Sequence, residues 1–238
     1  IDRVITRDHR VNAMEVSIDE ICNQIIARRQ PTASDLRMIM MVIKTITDLE
    51  RIGDEAAKIA RMAKLIYATD RMHIPRFIEI KHVASIAMDM LHKALDSFAR
   101  LDLNAAAQIV RQDEFVDEEF RSILRQLITF MMEDPRKIST CLEIVFVAKA
   151  IERIGDHAKN MSEYVVYMVK GKDVRHVTAD EIEQEIVVVD VFQHDNRLGW
   201  NLRRQFNDLF SCIPDAADER LEFHLVFDVV VFQGGNTA

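Results

Sequence analysis

The sequence predicts an all-α protein made of two tandem, pseudo-symmetric three-helix bundles, the first lacking its leading helix, followed by an atypical C-terminal tail. Three observations carry this. The 238 residues include only 6 Gly and 4 Pro against 49% hydrophobic residues, which suits long helices better than a turn-rich sheet protein. The string Leu49-Glu50-Arg51-Ile52-Gly53-Asp54 returns 102 residues later as Ile151-Glu152-Arg153-Ile154-Gly155-Asp156. Upstream of each copy the apolar positions keep helical spacing, Leu36, Met40 and Ile43 mapping at the same offset onto Ile138, Leu142 and Val145.

Taken in order, the elements each have a local reason. The chain opens at Ile1, without a Met and within what reads as a helix, so a leading helix of the first unit is expected to lie before it. The opening helix carries Asp8-His9-Arg10-Val11-Asn12, echoed 105 residues on by Asp113-Glu114-Phe115-Val116-Asp117. Pro31, with Thr32 and Ser34 as candidate N-caps, breaks the chain before the first Glu-Arg-Ile-Gly-Asp helix. The units join around His73-Ile74-Pro75, so the first spans residues 1–72 and the second 73–176. The second unit's leading helix runs from about Val83 to Arg100, and Asp134-Pro135 read as N-cap and first residue of its last helix. The tail, 177–238, changes character: Val187 to Phe192 and Leu225 to Phe232 are β-branched runs expected to form a strand pair or to be poorly ordered. Asn201 to Leu209 reads as a short helix between them.

Composition narrows the function classes. With 39 acidic against 31 basic residues and a formal charge of −8, nonspecific binding to nucleic acid is disfavoured, whereas cations or basic partner surfaces suit the chain. Cys22, Cys141 and Cys212 stand far apart, fit a reducing compartment and read as packing residues. No apolar run reaches the roughly 18 residues of a membrane span, and no signal segment opens the chain, so a soluble cytoplasmic protein is expected. Phosphate loops, nucleophile elbows and dinucleotide fingerprints are absent, and the eight histidines show no ligand-type spacing.

The repeated string carries the chemistry. Residues four apart share a helix face, so Glu50 with Asp54 and Glu152 with Asp156 each present two carboxylates side by side. Such like-charge pairs cost a helix a few tenths of a kcal/mol, and a mid-helix Gly costs about 1 kcal/mol relative to Ala. A sequence that incurs both penalties twice, at equivalent places, points to a use. Small Gly53 and Gly155 let a neighbouring helix approach, and Asp8 with Asn12, and Asp113 with Asp117, supply facing oxygens at the same spacing. Carboxylates meeting between helices are how bundles hold metals, and an all-oxygen set favours Mg²⁺, Mn²⁺, Ca²⁺ or iron over a thiolate-type zinc site. His157 is a weak further ligand, since adjacent helical residues point about 100° apart. The bland reading of any single Glu-x-x-x-Asp is a solvated acidic face. Arg51 and Arg153 read as surface or helix-pairing cations, and Met38, Met40, Met41, Met131 and Met132 as core or interface filler.

The doubled Glu-Arg-Ile-Gly-Asp helices, the connection Ala27-Arg28-Arg29-Gln30-Pro31-Thr32-Ala33-Ser34-Asp35-Leu36-Arg37 and the run Val169-Lys170-Gly171-Lys172-Asp173-Val174-Arg175-His176-Val177 resemble the PhoU family over roughly Ile1 to Glu185. The resemblance implies two three-helix bundles and a divalent or ferric ion (Mg, Mn, Fe or Zn) at Glu50, Asp54, Glu152 and Asp156, with Asp8, Asp113 and Asp117 supporting. It further implies a homodimer, no enzymatic reaction and negative regulation of phosphate uptake, exerted by linking the phosphate transporter's ATPase subunit to the PhoR sensor kinase. Membrane association would then be peripheral, through partners. Asn12 stands where the second unit has Asp117, so the two sites need not be equal. The tail beyond about Ile186 departs from the family. Two other classes stay open: a carboxylate-bridged metalloenzyme, which normally needs a Glu-x-x-His pattern that is missing, and a metal-storage or scaffold bundle.

Overall fold

The computed structural model describes residues 2–68, 78–175 and 177–190. Among these every regular element is a helix: α1 (Asp2–Arg29), α2 (Ala33–Ala68), α3 (Ile78–Arg100), α4 (Leu103–Glu133), α5 (Ile138–Lys170) and α6 (Ala179–Asp190). None is long and apolar enough to cross a membrane.

The helix ends have visible causes. α1 stops where Gln30 turns left-handed at φ 45, and the Leu36 N–H donates to the Thr32 carbonyl at 2.8 Å, so Thr32 stands at the cap of α2. Asp102 caps α4, its side chain accepting from the N–H groups of Asn104 and Ala105. Asp134 accepts from the Arg136 N–H, and Pro135 opens a short 3-10 turn, Pro135–Lys137, that leads into α5. Gly171, at φ 71, closes α5 by donating to the Tyr167 carbonyl at 2.9 Å.

Where a strand or poor order is expected from Val187, the chain is helix as far as Asp190, where the described residues end; the rest of that run, Asn201 to Leu209, Cys212, Leu225 to Phe232 and the junction at His73-Ile74-Pro75 lie outside them. The reason is local. Thr178 and Glu181 form a reciprocal cap, the Thr178 N–H donating to Glu181 Oε2 at 3.0 Å and the Glu181 N–H to Thr178 Oγ1 at 3.4 Å. Once nucleated over Ala179–Glu185, the helix carries its valines at a cost of under about 1 kcal/mol each.

α2 and α5 form the most extensive helix pair and run antiparallel: Asp48 meets His157, and Glu55, farther along α2, meets Arg153, farther back on α5. α1 packs on α2, while α3 and α4 pack on α5 and on each other. α6 lies on α4, where Arg111 donates to Asp180 at 2.7 Å and to Glu183 at 2.9 Å. One apolar cluster joins Ile52 and Ile59 of α2 to Met90, Val116, Ile123, Ile144, Ile151 and Ile154 of the second unit. The other joins Cys22, Ile39 and Val42 to Phe98, Val110, Val165 and Ile182. Cys22 and Cys141 are buried free thiols, as their read role as packing residues requires. Met41 is core, but Met132 is 80% exposed.

Candidate functional site

Two helix crossings repeat one construction. α1 meets α2 at Gly53, where an added Cβ would lie 3.5 Å from Asp8 Oδ1 and 3.7 Å from Val11 Cγ1. α4 meets α5 at Gly155, where the same atom would lie 3.5 Å from Asp113 Oδ1 and 3.5 Å from Val116 Cγ1. These are ordinary contact distances, so alanine would fit. What the glycines do is leave the two carboxylate oxygens uncovered by a methyl group. The two sequence echoes, one on each helix, therefore meet in space as matched pairs.

At the first crossing Asp8 Oδ1 and Asn12 Oδ1 are buried without a hydrogen-bond partner, an arrangement that costs free energy unless something binds there. Burial pushes the Glu50 carboxyl above its ordinary range; Asp54, Glu15 and Asp8 add to the rise, and Arg51 opposes it. Asp8, Glu50 and Asp54 thus share one groove. At the second crossing Asp113 is 2% exposed, its Oδ1 likewise without a partner and its Oδ2 held by Lys159 Nζ at 2.8 Å. Lys149 Nζ donates to both oxygens of Glu152, 2.6 Å from Oε2. Asp156 is pushed up to about 6 by burial and then by Glu152, Asp113 and Asp117. Asp117 stands at the edge, 3.7 Å from Arg121.

All seven predicted residues thus fall into two acidic grooves, one per unit. Among the described residues, though, no three His, Cys, Asp or Glu side chains are gathered closely enough to hold a metal ion as they stand. The donor set still fits a hard cation: oxygen throughout, with unpartnered buried oxygens at equivalent points of both grooves.

Several participants were missed in the sequence. Glu15 was legible, since Asp8, Asn12 and Glu15 continue one helical stripe. Lys149 and Lys159, three residues before Glu152 and three after Asp156, were equally readable as counter-ions. His157 turns away from the groove and pairs with Asp48 at 2.7 Å, which also accepts from Asn160 Nδ2 at 3.3 Å. Asp48 carried no local signal, because its partners lie more than a hundred residues away on α5. The two arginines of the repeat have separate employments: Arg153 reaches across to Glu55 at 2.8 Å, whereas Arg51 lies 3.6 Å from its neighbour Glu50.

A family model described as the PhoU domain matches residues 1–63 and 80–165. The chain is 50% identical over 182 residues to the phosphate-specific transport system accessory protein PhoU of Escherichia coli (strain K12), covering 76% of this chain and 75% of that protein. It is 47% identical over 180 residues to the PhoU homolog of Pseudomonas aeruginosa, covering 75% of this chain and 74% of that one. The crystal structure of PhoU from Pseudomonas aeruginosa superposes with a TM-score of 0.69 at 46% identity, over 72% of this chain and 81% of that one. The phosphate transport system regulatory protein PhoU from Streptococcus pneumoniae gives 0.66 at 26% identity, over 73% and 80%.

Proposed function

The chain belongs to the PhoU family of phosphate-transport accessory proteins, and from that premise we propose that it is a metal-stabilised helical adaptor that restrains phosphate uptake and phosphate-regulon signalling. In this reading it works in the cytoplasm, as a homodimer, without catalysing a reaction, and connects the ATPase subunit of the phosphate transporter with a PhoR-type sensor kinase. Two names among its relatives support a place beside a transporter, being those of an accessory and a regulatory protein of phosphate transport.

One observation carries the metal half: unpartnered buried oxygens, Asp8 Oδ1 and Asp113 Oδ1, stand at matched crossings among further acids. Glu50, Asp54, Asp8 and Asn12 would hold one ion, and Glu152, Asp156, Asp113 and Asp117 the other. A bound Mg, Mn, Fe or Zn ion would supply positive charge that clamps facing helices together. No Glu-x-x-His pattern runs through either groove, and His157 pairs with Asp48 instead, which favours this reading over a carboxylate-bridged enzyme.

The test is thermal unfolding with and without chelator. Metal removal is expected to lower Tm, and Mn²⁺ or Mg²⁺ to restore it by the linkage RT ln(1 + [L]/Kd), about 2.7 kcal/mol at a hundredfold excess over Kd. Asp54→Ala with Asp156→Ala should stay folded and lose that response. Absence of bound metal on elemental analysis, together with a chelator-insensitive Tm, would reduce both grooves to solvated surface.

A further inference from the structure

Outside both acidic grooves, where α2 begins and α5 ends, the helix pair opens into a cavity of about 320 Å³. Its walls include Arg37 and Lys44 of α2, Glu163, Tyr164 and Tyr167 of α5, and Asp173 with Arg175 just beyond it. Neither of the two carboxylates that line it engages Arg37 or Lys44 at ion-pair distance. Arg175 Nε donates to Asp173 Oδ1 at 2.9 Å, and burial pushes the Glu163 carboxyl up to about 7, against the opposing charge of Lys159. Arg37 and Lys44 are less committed: neither has a carboxylate at ion-pair distance among the described residues, Lys44 acting on Asp173 only from farther off, and Arg37 Nε is buried with no hydrogen-bond partner.

Both cations are nonetheless held in place. The Arg37 guanidinium sits 5.8 Å over the Tyr167 ring and packs against Gly171, and Lys44 Nζ sits 5.5 Å over the Tyr164 ring. Two positioned positive charges thus face one cavity with donors to spare. Ala33, the first residue of α2, also lines it, so the positive end of the helix dipole adds to their field. The internal repeat supplies a control. At its offset Arg37, Met40, Lys44 and Tyr164 correspond to Ser139, Leu142, Phe146 and Met62. There Leu142 is 45% and Phe146 50% exposed, an apolar surface on the equivalent helix positions. Packing α2 against α5 therefore does not itself require a cationic, aromatic cavity.

We propose that this cavity is a binding site for a phosphoryl dianion, either inorganic phosphate or the phosphate of a nucleotide, gripped by Arg37 and Lys44. A guanidinium fork and an ammonium together match the charge and the several acceptor oxygens of such a group. The site uses none of the groove carboxylates, so it stands or falls separately from the metal reading.

Calorimetric titration of the full chain as purified with inorganic phosphate, and in a second arm with ADP, tests it. Saturable binding is expected, weakened at least about tenfold by Arg37→Ala and, with a milder change at a half-buried position, by Lys44→Gln. The tighter arm identifies the source, and either result supports the site. No saturable binding of either compound up to about 10 mM would overturn it. So would binding undiminished by both substitutions, since that would place the anion elsewhere, such as on a groove-bound metal.

Discussion

The two acidic grooves share a backbone plan and differ in how their repulsion is relieved. The α4–α5 groove brings its own cations, Lys149 on Glu152 and Lys159 on Asp113. At the corresponding positions the α1–α2 groove has Thr47, whose hydroxyl donates to the Ile43 carbonyl of its own helix, and the buried Ala57. It also has Glu15, a further acid, where the second unit has Phe120. The two copies thus share the crossing, the glycine and the carboxylates, but not the lysines: those stand directly on the acids of the second groove, whereas in the first the exposed Arg51 lies 3.6 Å from Glu50.

Lys159→Ala should have the largest effect. It strips the buried Asp113 carboxylate of its part-exposed cation, and leaving that buried acid without its partner costs about 2 kcal/mol, read as a lower denaturation midpoint in metal-free protein. Mn²⁺ should recover part of that loss; if stability is unchanged by the substitution, the lysine is not the groove's counter-charge. Next, the identical arginines of the repeat should separate. Arg153→Ala leaves Glu55, 6% exposed, without its cross-unit partner and should cost about 1 to 2 kcal/mol, whereas Arg51→Ala at an exposed position should stay within about 0.5 kcal/mol.

Glu163, whose counterpart in the first unit is the exposed Arg61, gives a pH signature. Burial pushes its carboxyl up from 4.5 to about 7, so between those values the folded chain holds a proton that the unfolded chain has released. Its contribution to stability therefore falls as pH rises through that window. Glu163→Gln should flatten the fall, and unfolding midpoints measured from pH 5 to 8 would show parallel curves if the group is in fact ordinary. The smallest effect is expected from Thr47→Lys, which gives the first groove the cation that Lys149 gives the second. The chelator-induced drop in Tm should shrink by part of its size; an unchanged drop would mean that the asymmetry does not govern metal dependence.

Much of this was legible in the chain. Repeated strings placed the crossings, since Gly, the paired acids and the facing Asp-x-x-Val segment all lie within single helices, where spacing alone decides the face. Pro31, Asp134-Pro135 and the family resemblance fixed the breaks. Val187 to Asp190 are helix rather than strand because the Thr178-Ala179-Asp180-Glu181 cap just before them nucleates a helix that outweighs β-branched composition. The cavity, the Asp48–His157 pair and the Glu55–Arg153 bridge were not legible, since each depends on the register between α2 and α5, whose contacting residues stand roughly a hundred positions apart.

That separation bears on how the molecule is made. Neither apolar cluster belongs to one repeat: Ile52 and Ile59 are covered by α3, α4 and α5, and Ile39 and Val42 share a core with Val165 and Ile182. A nascent chain that has emerged only as far as α2 thus carries an unfinished apolar surface until α5 follows it from the ribosome, several seconds later at about 5 to 20 residues per second. The two repeats are expected to lock together late and as one cooperative unit, with amide protons along the middle of α2 and α5 exchanging at a common, slowest rate.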